Sequence, residues 1–325
     1  MKDFSGKIAV ISGAGTGMGR ELARQLAAEG CSVAICDVVD ERLAETRQAC
    51  MDAAPPGTRI TAHHCDVANE AQVLAFRDEV VAQHATPYIN LLFNNAGISG
   101  GGSFLLDTRE EWDRTFGVSW LGVYYCTRAF MPLLVASTDG YVVNTSSVNG
   151  FWACLGPGTP HTAYCAAKFA IKGFTEALVT DLRVNAPHVK AAVVMPGHIG
   201  TSIALNSRLL HGKSSAADMS VDEVAGYRAR LARQGVPTDR VTDEMLKSGM
   251  QQGLEDFRDN APLTAAQAAT IILDGVRTDK WRILVGDDAH VLDRLVRESP
   301  DEAYEQSFAA RLRAQTEAGI IHTVR

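Results

Sequence analysis

Short apolar runs alternate with amphipathic stretches through the first 200 residues of this 325-residue chain. Lys7-Ile-Ala-Val-Ile-Ser12 has no polar alternation, the pattern of a strand covered on both faces of a parallel sheet. Arg20 to Glu29 follows, with Leu22, Ala23, Leu26 and Ala27 at helical spacing. Ser32-Val-Ala-Ile-Cys-Asp37 repeats the strand pattern. The same rhythm predicts strands near residues 60–65, 89–93, 140–145, 189–195 and 282–285, and Pro55-Pro56-Gly57 marks the turn into the third. Strands alternating with helices imply right-handed parallel crossovers with helices on both sheet faces. The expected fold is α/β, a doubly wound parallel sheet of seven strands in one domain.

Residues 202–262 break this rhythm. Met219, Tyr227, Leu231, Met245, Leu246 and Met250 stand among many charges, as short amphipathic helices require. After Asp287 two more amphipathic pieces, Val291–Val296 and Phe308–Leu312, fit packing on their own domain or on a neighbouring subunit. The chain thus divides into a main domain, 1–286, carrying the 202–262 insertion, and a helical extension, 287–325.

Chemistry enters with the turn after the first strand. Gly13-Ala-Gly15-Thr16-Gly17-Met18-Gly19 joins a buried strand to an amphipathic helix. Glycines there permit a tight turn and close backbone approach, and a helix N-terminus offers free N–H groups to a pyrophosphate. Alone, such a triplet marks little more than a loop; in this setting it predicts a dinucleotide-binding (Rossmann) start. Asp37 ends the second strand about 20 residues on, where a ribose 2′-hydroxyl would lie. Its carboxylate accepts from that hydroxyl and repels a 2′-phosphate, and neither Val38, Val39 nor Thr16 offers a phosphate a cation. NAD is the expected cofactor.

Farther along, Tyr164-Cys-Ala-Ala-Lys168 sets a phenol and an ammonium one helical turn apart. A neighbouring Lys⁺ favours the phenolate, so the tyrosine is expected to titrate below its usual value of about 10 and to serve as acid or base. Ser147 closes the strand-like run Tyr141-Val-Val-Asn-Thr-Ser-Ser147 and is able to bond the same substrate oxygen.

Together these motifs resemble the short-chain dehydrogenase/reductase family over roughly residues 5–205. Ser12-Gly13-Ala-Gly-Thr-Gly17-Met-Gly19 matches its glycine motif, with serine for the usual threonine. Asp66-Val67 matches the acid beside the adenine, and Asn94-Asn95-Ala96-Gly97 the turn bordering the adenosine ribose. Pro196-Gly197-His198-Ile199-Gly200-Thr201 matches the stretch that holds the nicotinamide carboxamide. The resemblance implies that Ser147, Tyr164 and Lys168 are catalytic. It further implies cofactor contacts from Ser12, Gly13, Gly15, Thr16, Gly17, Met18, Gly19, Asp37, Asp66, Val67, Asn94, Ala96, Gly97, Tyr164, Lys168, Pro196, Gly197, Ile199 and Thr201. A homodimer or homotetramer is implied, associating through helices near 110–137 and 162–185 and the last strand.

Two departures stand out. Ser119 occupies the place of a catalytic asparagine thought to hold a proton-relay water, and a hydroxyl is able to hold one. Ser147 and Tyr164 are a few residues farther apart than usual, the excess lying in Phe151–His161, which is expected to shape the substrate pocket. Trp120, Trp152 and the long 202–262 segment suggest a bulky secondary alcohol or its ketone as substrate. An aryl alcohol of lignin type is an alternative. So is a regulator that senses NAD without turnover, although such relatives typically lose the tyrosine or lysine kept here. A sugar-nucleotide epimerase of the extended branch has a different glycine pattern.

Composition narrows the setting. The chain is 46% hydrophobic and 21% charged, enough for a sizeable core. A formal charge of -7 with no basic stripe argues against nucleic acid. Seven cysteines without framework spacing suggest reduced thiols, and no His/Cys pattern suggests a metal. No run approaches the roughly 20 apolar residues of a membrane span, and no signal peptide is read at the start. A cytoplasmic protein acting on a small molecule is expected.

Overall fold

A computed structural model of the protein describes residues 1–156 and 158–315. Its strands are β1 (Ile8–Ser12), β2 (Ser32–Asp37), β3 (Ile60–His64), β4 (Leu91–Asn94), β5 (Gly140–Thr145), β6 (Val189–Pro196), β7 (Ile199–Gly200), β8 (Leu263–Thr264) and β9 (Arg282–Val285). Seven of them form one parallel sheet in the order β3-β2-β1-β4-β5-β6-β9, as the alternation predicts. The short β7 and β8 pair separately; two residues carry no readable periodicity.

Helices cover both faces because successive strand residues point opposite ways. Ala9 and Ile11 of β1, and Leu91 and Phe93 of β4, enter one core. They meet Leu22 and Leu26 of α1 (Gly17–Ala28), Leu43 of α2 (Asp40–Ala53), and residues of a helix near the chain's end described below. Val10, Ala34 and Leu92 enter the other core. There they pack on Phe76 of α3 (Glu70–His84) and, beyond the short α4 (Arg109–Phe116), on Phe130 of α5 (Gly122–Val135) and Leu182 of α6 (Thr162–Asn185).

The 202–262 segment contains α7 (Ile203–Leu210), α8 (Val221–Arg233) and α9 (Asp243–Asp259). Met219, Val224, Tyr227, Leu231, Leu246 and Met250 form a small core of their own. The segment is tied to the main body at one end through α7. At the other end, the His198 ring stacks on Phe257 of α9 at 4.4 Å and its Nε2 lies 2.7 Å from the Phe257 carbonyl. The chain returns through α10 (Ala265–Arg277), whose Ile272 and Leu273 complete the first core, and β9.

The last two helices, α11 (Asp287–Glu298) and α12 (Gln306–Gln315), pack on their own domain. Leu292, Leu295, Phe308 and Leu312 surround Trp152, which is 2% exposed and donates its indole N–H to the Ala303 carbonyl at 2.7 Å. Trp152 therefore belongs to the tail's core and not to a substrate pocket, against the expectation for this part of the 151–161 stretch. Residue 157 and the last ten residues of the predicted extension, 316–325, lie outside the described residues. Among the described residues, no helix is long and apolar enough to cross a membrane.

Removing so large a buried ring leaves a cavity that the tail cannot refill. Trp152→Ala is expected to lower unfolding stability by about 3–5 kcal/mol, measured by urea denaturation. A loss within experimental error would mean that the tail is not packed there in solution.

Candidate active site

Strand order reverses between β1 and β4, and at such a point the crossovers part and leave a crevice beyond the strands' carboxyl ends. Here it is a cleft of about 380 Å³. Gly13, Thr16, Gly17 and Met18 line one wall; Asp37, Asp66, Val67, Ala96, Gly97 and Thr201 line the others. Gly13 is in the left-handed region (φ +64°), and a Cβ on it would come within 2.6 Å of the Ala96 Cα. A Cβ on Gly19 would fall onto the Gly13 carbonyl. The sequence leaves out side chains where backbone must pass backbone.

The cleft suits a dinucleotide. α1 starts at Gly17 with no acid in its first turn and no side chain capping it, so its first N–H groups face the cleft unneutralised. Asp37 is fixed at the end of β2, accepting from the N–H of Gly15 and of Val38 at 2.8 Å each and of Val39 at 3.2 Å. Asp66 is held by Arg114 at 2.6 Å.

Several expected contacts turn out to be supports set behind the cleft wall. Ser12 Oγ accepts from the N–H of Asn95 and Ala96 at 3.1 and 3.2 Å, clasping the glycine turn to the end of β4. Asn94 is 1% exposed and donates to Thr127 Oγ1 and Asn144 Oδ1 at 2.9 and 2.7 Å. The Ser12 hydroxyl and the Asn94 amide N–H groups are used inside the protein, while the buried Asn94 Oδ1 has no partner. Gly15 and Gly19 contribute clearance and backbone, not cleft surface. Of the Pro196–Thr201 stretch, Thr201 reaches the wall; Pro196 closes β6, Ile199 pairs in β7, and Gly197 packs against the Asp288 carboxylate.

Other lining residues were not anticipated. Asn95, inside the quoted motif, lines the cleft and donates to the Gly13 carbonyl at 3.0 Å. Arg42 lies at the mouth, where the first turn of α2 folds back over the end of β2. It donates to Asn206 Oδ1 of α7 at 2.5 Å, and Asn206 donates to Thr16 Oγ1 at 3.2 Å, a polar bridge across the opening. Looking one helical turn beyond Val38 and Val39 would have found Arg42; nothing in the sequence pairs it with Asn206.

Ser147, Tyr164 and Lys168 do not line this cleft; they cluster behind its Gly97 wall, against which Lys168 sits. β5 delivers Ser147, whose Oγ accepts from Asn149 N–H at 3.1 Å and also bonds the Tyr164 phenol. α6 carries Tyr164 and Lys168 one turn apart, with Lys168 Nζ 5.2 Å from the Tyr164 ring centre. That Nζ donates to the Thr145 carbonyl at 2.8 Å and sits against Gly97, where a Cβ would be 3.4 Å away. Ser119 lies fully buried on a π-helical turn, Gly117–Leu121. Its hydroxyl donates to the Ile98 carbonyl at 3.0 Å and accepts from the Ile98 N–H at 3.2 Å. The side chain thus grips the loop after β4 that carries Gly97, with one acceptor lone pair left over. Trp120 packs edge-on against Phe174 and beside Tyr124, away from the cleft. Neither tryptophan taken as a sign of a bulky substrate lines the cleft.

A family model described as short chain dehydrogenase matches residues 7–209. A Mycobacterium tuberculosis protein named as an oxidoreductase, SadH, is 34% identical over 299 residues, covering 91% of this chain and 92% of its own. The meso-2,3-butanediol dehydrogenase of Serratia marcescens is 36% identical over 239 residues, 70% of this chain and 88% of its own. A solved short chain dehydrogenase/reductase from Burkholderia phymatum in complex with NAD superposes with a TM-score of 0.74 at 28% identity, covering 93% of this chain and 96% of its own. Solved structures that the chain resembles hold either NAD or NADP. Among the described residues, no group of three His, Cys, Asp or Glu is placed to hold a metal ion.

The site's electrostatics differ from the sequence expectation. Burial raises the Tyr164 pKa above its usual value, against a smaller downward pull from the Ser147 hydroxyl. The same burial pushes Lys168 down to about 7. Two groups that were expected to stabilise each other's charge are instead both driven toward neutrality, because the pocket takes water from each. Between about pH 7 and 10.5 the unfolded chain then holds a proton on this lysine that the folded chain lacks, so the lysine's contribution to stability rises with pH across that window. Lys168→Met abolishes the effect. Without added nucleotide, wild-type stability relative to Lys168→Met should climb by about 2–3 kcal/mol between about pH 7 and pH 9.5, read by urea unfolding. A pH-independent difference would show that Lys168 stays charged in the fold.

Proposed function

Because the chain belongs to the short-chain dehydrogenase family, we propose that it interconverts a secondary alcohol and its ketone with NAD as redox partner. The observation that carries this reading is the clustering of Ser147, Tyr164 and Lys168 behind Gly97, a residue that lines the cleft formed by the glycine turn and Asp37. A nicotinamide dinucleotide held by the glycine turn, Asp37 and Thr201 supplies the two-electron acceptor or donor. Everything else falls to the chain's own groups. Ser147 donates to the substrate oxygen and fixes it, and a donor aimed at developing charge is worth about 3–4 kcal/mol in the transition state. In the direction of ketone reduction, the neutral Tyr164 phenol is ready to give that oxygen a proton. For oxidation it must first lose its own, which Lys168 favours once charged. Lys168, which sits against Gly97, is assigned a bond to the nicotinamide ribose in this reading. Ser119 holds the Gly97–Ile98 backbone in place, and its spare lone pair suits a water relaying protons from Lys168.

NAD is favoured over NADP by the Asp37 carboxylate, since Arg42, the nearby cation, is engaged with Asn206. A secondary alcohol agrees with the relative named for 2,3-butanediol. A bulky substrate rests on the long 202–262 cover alone, now that Trp120 and Trp152 are accounted for elsewhere. Association through the outer faces of α5 and α6, where Tyr124 and Phe169 are exposed, belongs to the same proposal, as does a cytoplasmic setting.

Tyr164→Phe keeps the ring and removes the proton carrier. Turnover, followed by the absorbance of reduced nicotinamide, should fall at least about a hundredfold while NAD still binds with near-normal affinity. Near-normal turnover would exclude Tyr164 as the acid–base group.

Asp37→Ala removes both a ribose acceptor and the repulsion of a 2′-phosphate. Titration by calorimetry should show weaker NAD binding and stronger NADP binding in the variant. A wild-type protein that binds NADP as tightly as NAD would overturn the ribose assignment.

A further inference from the structure

His161 ends the inserted stretch three residues before Tyr164, and its position differs from that of Trp152 at the other end. Its ring lies 4.8 Å from the Tyr164 ring, centre to centre, and the residue is 7% exposed. Nε2 meets the Ser99 hydroxyl at 3.3 Å. Ser99 is itself fixed: its N–H donates to Ser207 Oγ of α7 at 2.8 Å, and its carbonyl lies 3.0 Å from His211 Nε2. Nδ1, in contrast, bonds no other described residue, yet it is not sealed from open space. An imidazole this buried normally satisfies both nitrogens. One nitrogen beside the phenol is therefore left for a ligand.

The chemistry of that ligand is constrained. Burial pushes the His161 pKa down to about 4, so at neutral pH the ring has one donor and one acceptor nitrogen. Because the Ser99 hydroxyl gives or accepts equally well, either tautomer satisfies Nε2. Nδ1 then accepts from a hydroxyl or donates to a carbonyl. A neutral ring offers an anion no charge, so a neutral oxygen is its natural partner. The phenol and Nδ1 each reach an oxygen about 2.8–3.0 Å away. With the ring centres 4.8 Å apart, one small molecule carrying two such oxygens on neighbouring or next-neighbouring carbons has the reach to bond both groups.

We propose that His161 determines specificity by bonding, through Nδ1, a second neutral oxygen one or two carbons from the reacting carbon, so that diols and hydroxyketones are preferred over simple alcohols. The inference rests on the dehydrogenase reading, in which Tyr164 and Ser147 hold the first oxygen.

The test compares kcat/KM for matched pairs, cyclohexanol against cyclohexane-1,2-diol and 2-butanol against 2,3-butanediol, in the presence of NAD. Wild type should favour the diol of each pair by about tenfold or more, the worth of one well-made hydrogen bond. His161→Phe, which keeps an aromatic ring, should lose most of that preference. His161→Asn, which keeps a polar group near the Nδ1 position, should retain part of it. Equal use of diol and simple alcohol by wild type overturns the proposal, and so does a His161→Phe variant in which both substrates lose rate by the same factor. Those outcomes leave the dehydrogenase reading intact. Turnover of none of the four compounds or their ketones with either dinucleotide would count against that reading itself. If His161→Phe does not fold, as judged by circular dichroism, the wild-type ratios and the asparagine variant still decide.

Discussion

The cleft exists because no side chain stands where the glycine turn crosses the end of β4. Gly13 lies so close to Ala96 that a single methyl would drive the two strands' ends apart. Ser12 then locks the contact by accepting from two consecutive N–H groups of the opposite turn. From there rigid links run inward. Asn94 bonds Asn144 across β4 and β5, Asn144 bonds Thr175 of α6, and Lys168 of the same helix bonds the Thr145 carbonyl. These side chains are buried, so the bonds they make are costly to break, although the Asn94 Oδ1 itself has no partner. The distance between the dinucleotide half of the site and Tyr164 is set by this ladder, not by any loop.

The same burial governs the site's titration. Tyr164, Lys168 and His161 lie together in a pocket short of water, and desolvation shifts all three toward their neutral forms. An ion-pair picture drawn from spacing alone assigns Lys168 a full charge and lets it act on the phenol. That picture omits the cost of bringing the ammonium into the pocket, which at low dielectric outweighs one favourable contact. A lysine poised near neutrality also responds to small changes around it. Its charge is open to change near neutral pH, where an exposed lysine stays charged.

Much of this was legible in the sequence because the signals were local. The glycine turn, the acid at the end of β2 and the Tyr164–Lys168 spacing each occupy a few consecutive residues, and strands covered on both faces read as apolar runs that the structure reproduces to within a residue or two. What stayed hidden was contact at long range. Trp152 read as a pocket residue because its partner Phe308 is 156 positions away and the indole's acceptor, Ala303, has no motif. Arg42 and Asn206 were invisible as a pair for the same reason. Ser12 and Asn94 were assigned to the cofactor because the motif contains them. Their side chains hold the motif in shape, a role that spacing does not separate from contact.

The tail, which looks like an appendage in the sequence, is in mechanical series with both walls of the site. At the start of α11, Asp288 is 7% exposed and accepts from His198 N–H at 2.6 Å, filling the space that Gly197 leaves open. The stretch running to Thr201 is therefore anchored to the tail. The opposite wall is anchored too, since Trp152 plugs into the tail's core and fixes one end of the segment whose other end is His161. A loop of this length held at neither end would sample many conformations, and ordering it would cost about 1–2 kcal/mol per residue. Trp152 is held by packing in the tail's core and His161 by Ser99. In this chain the extra C-terminal helices thus hold the segment that leads to Tyr164, while the β1–β4 contact holds the glycine turn.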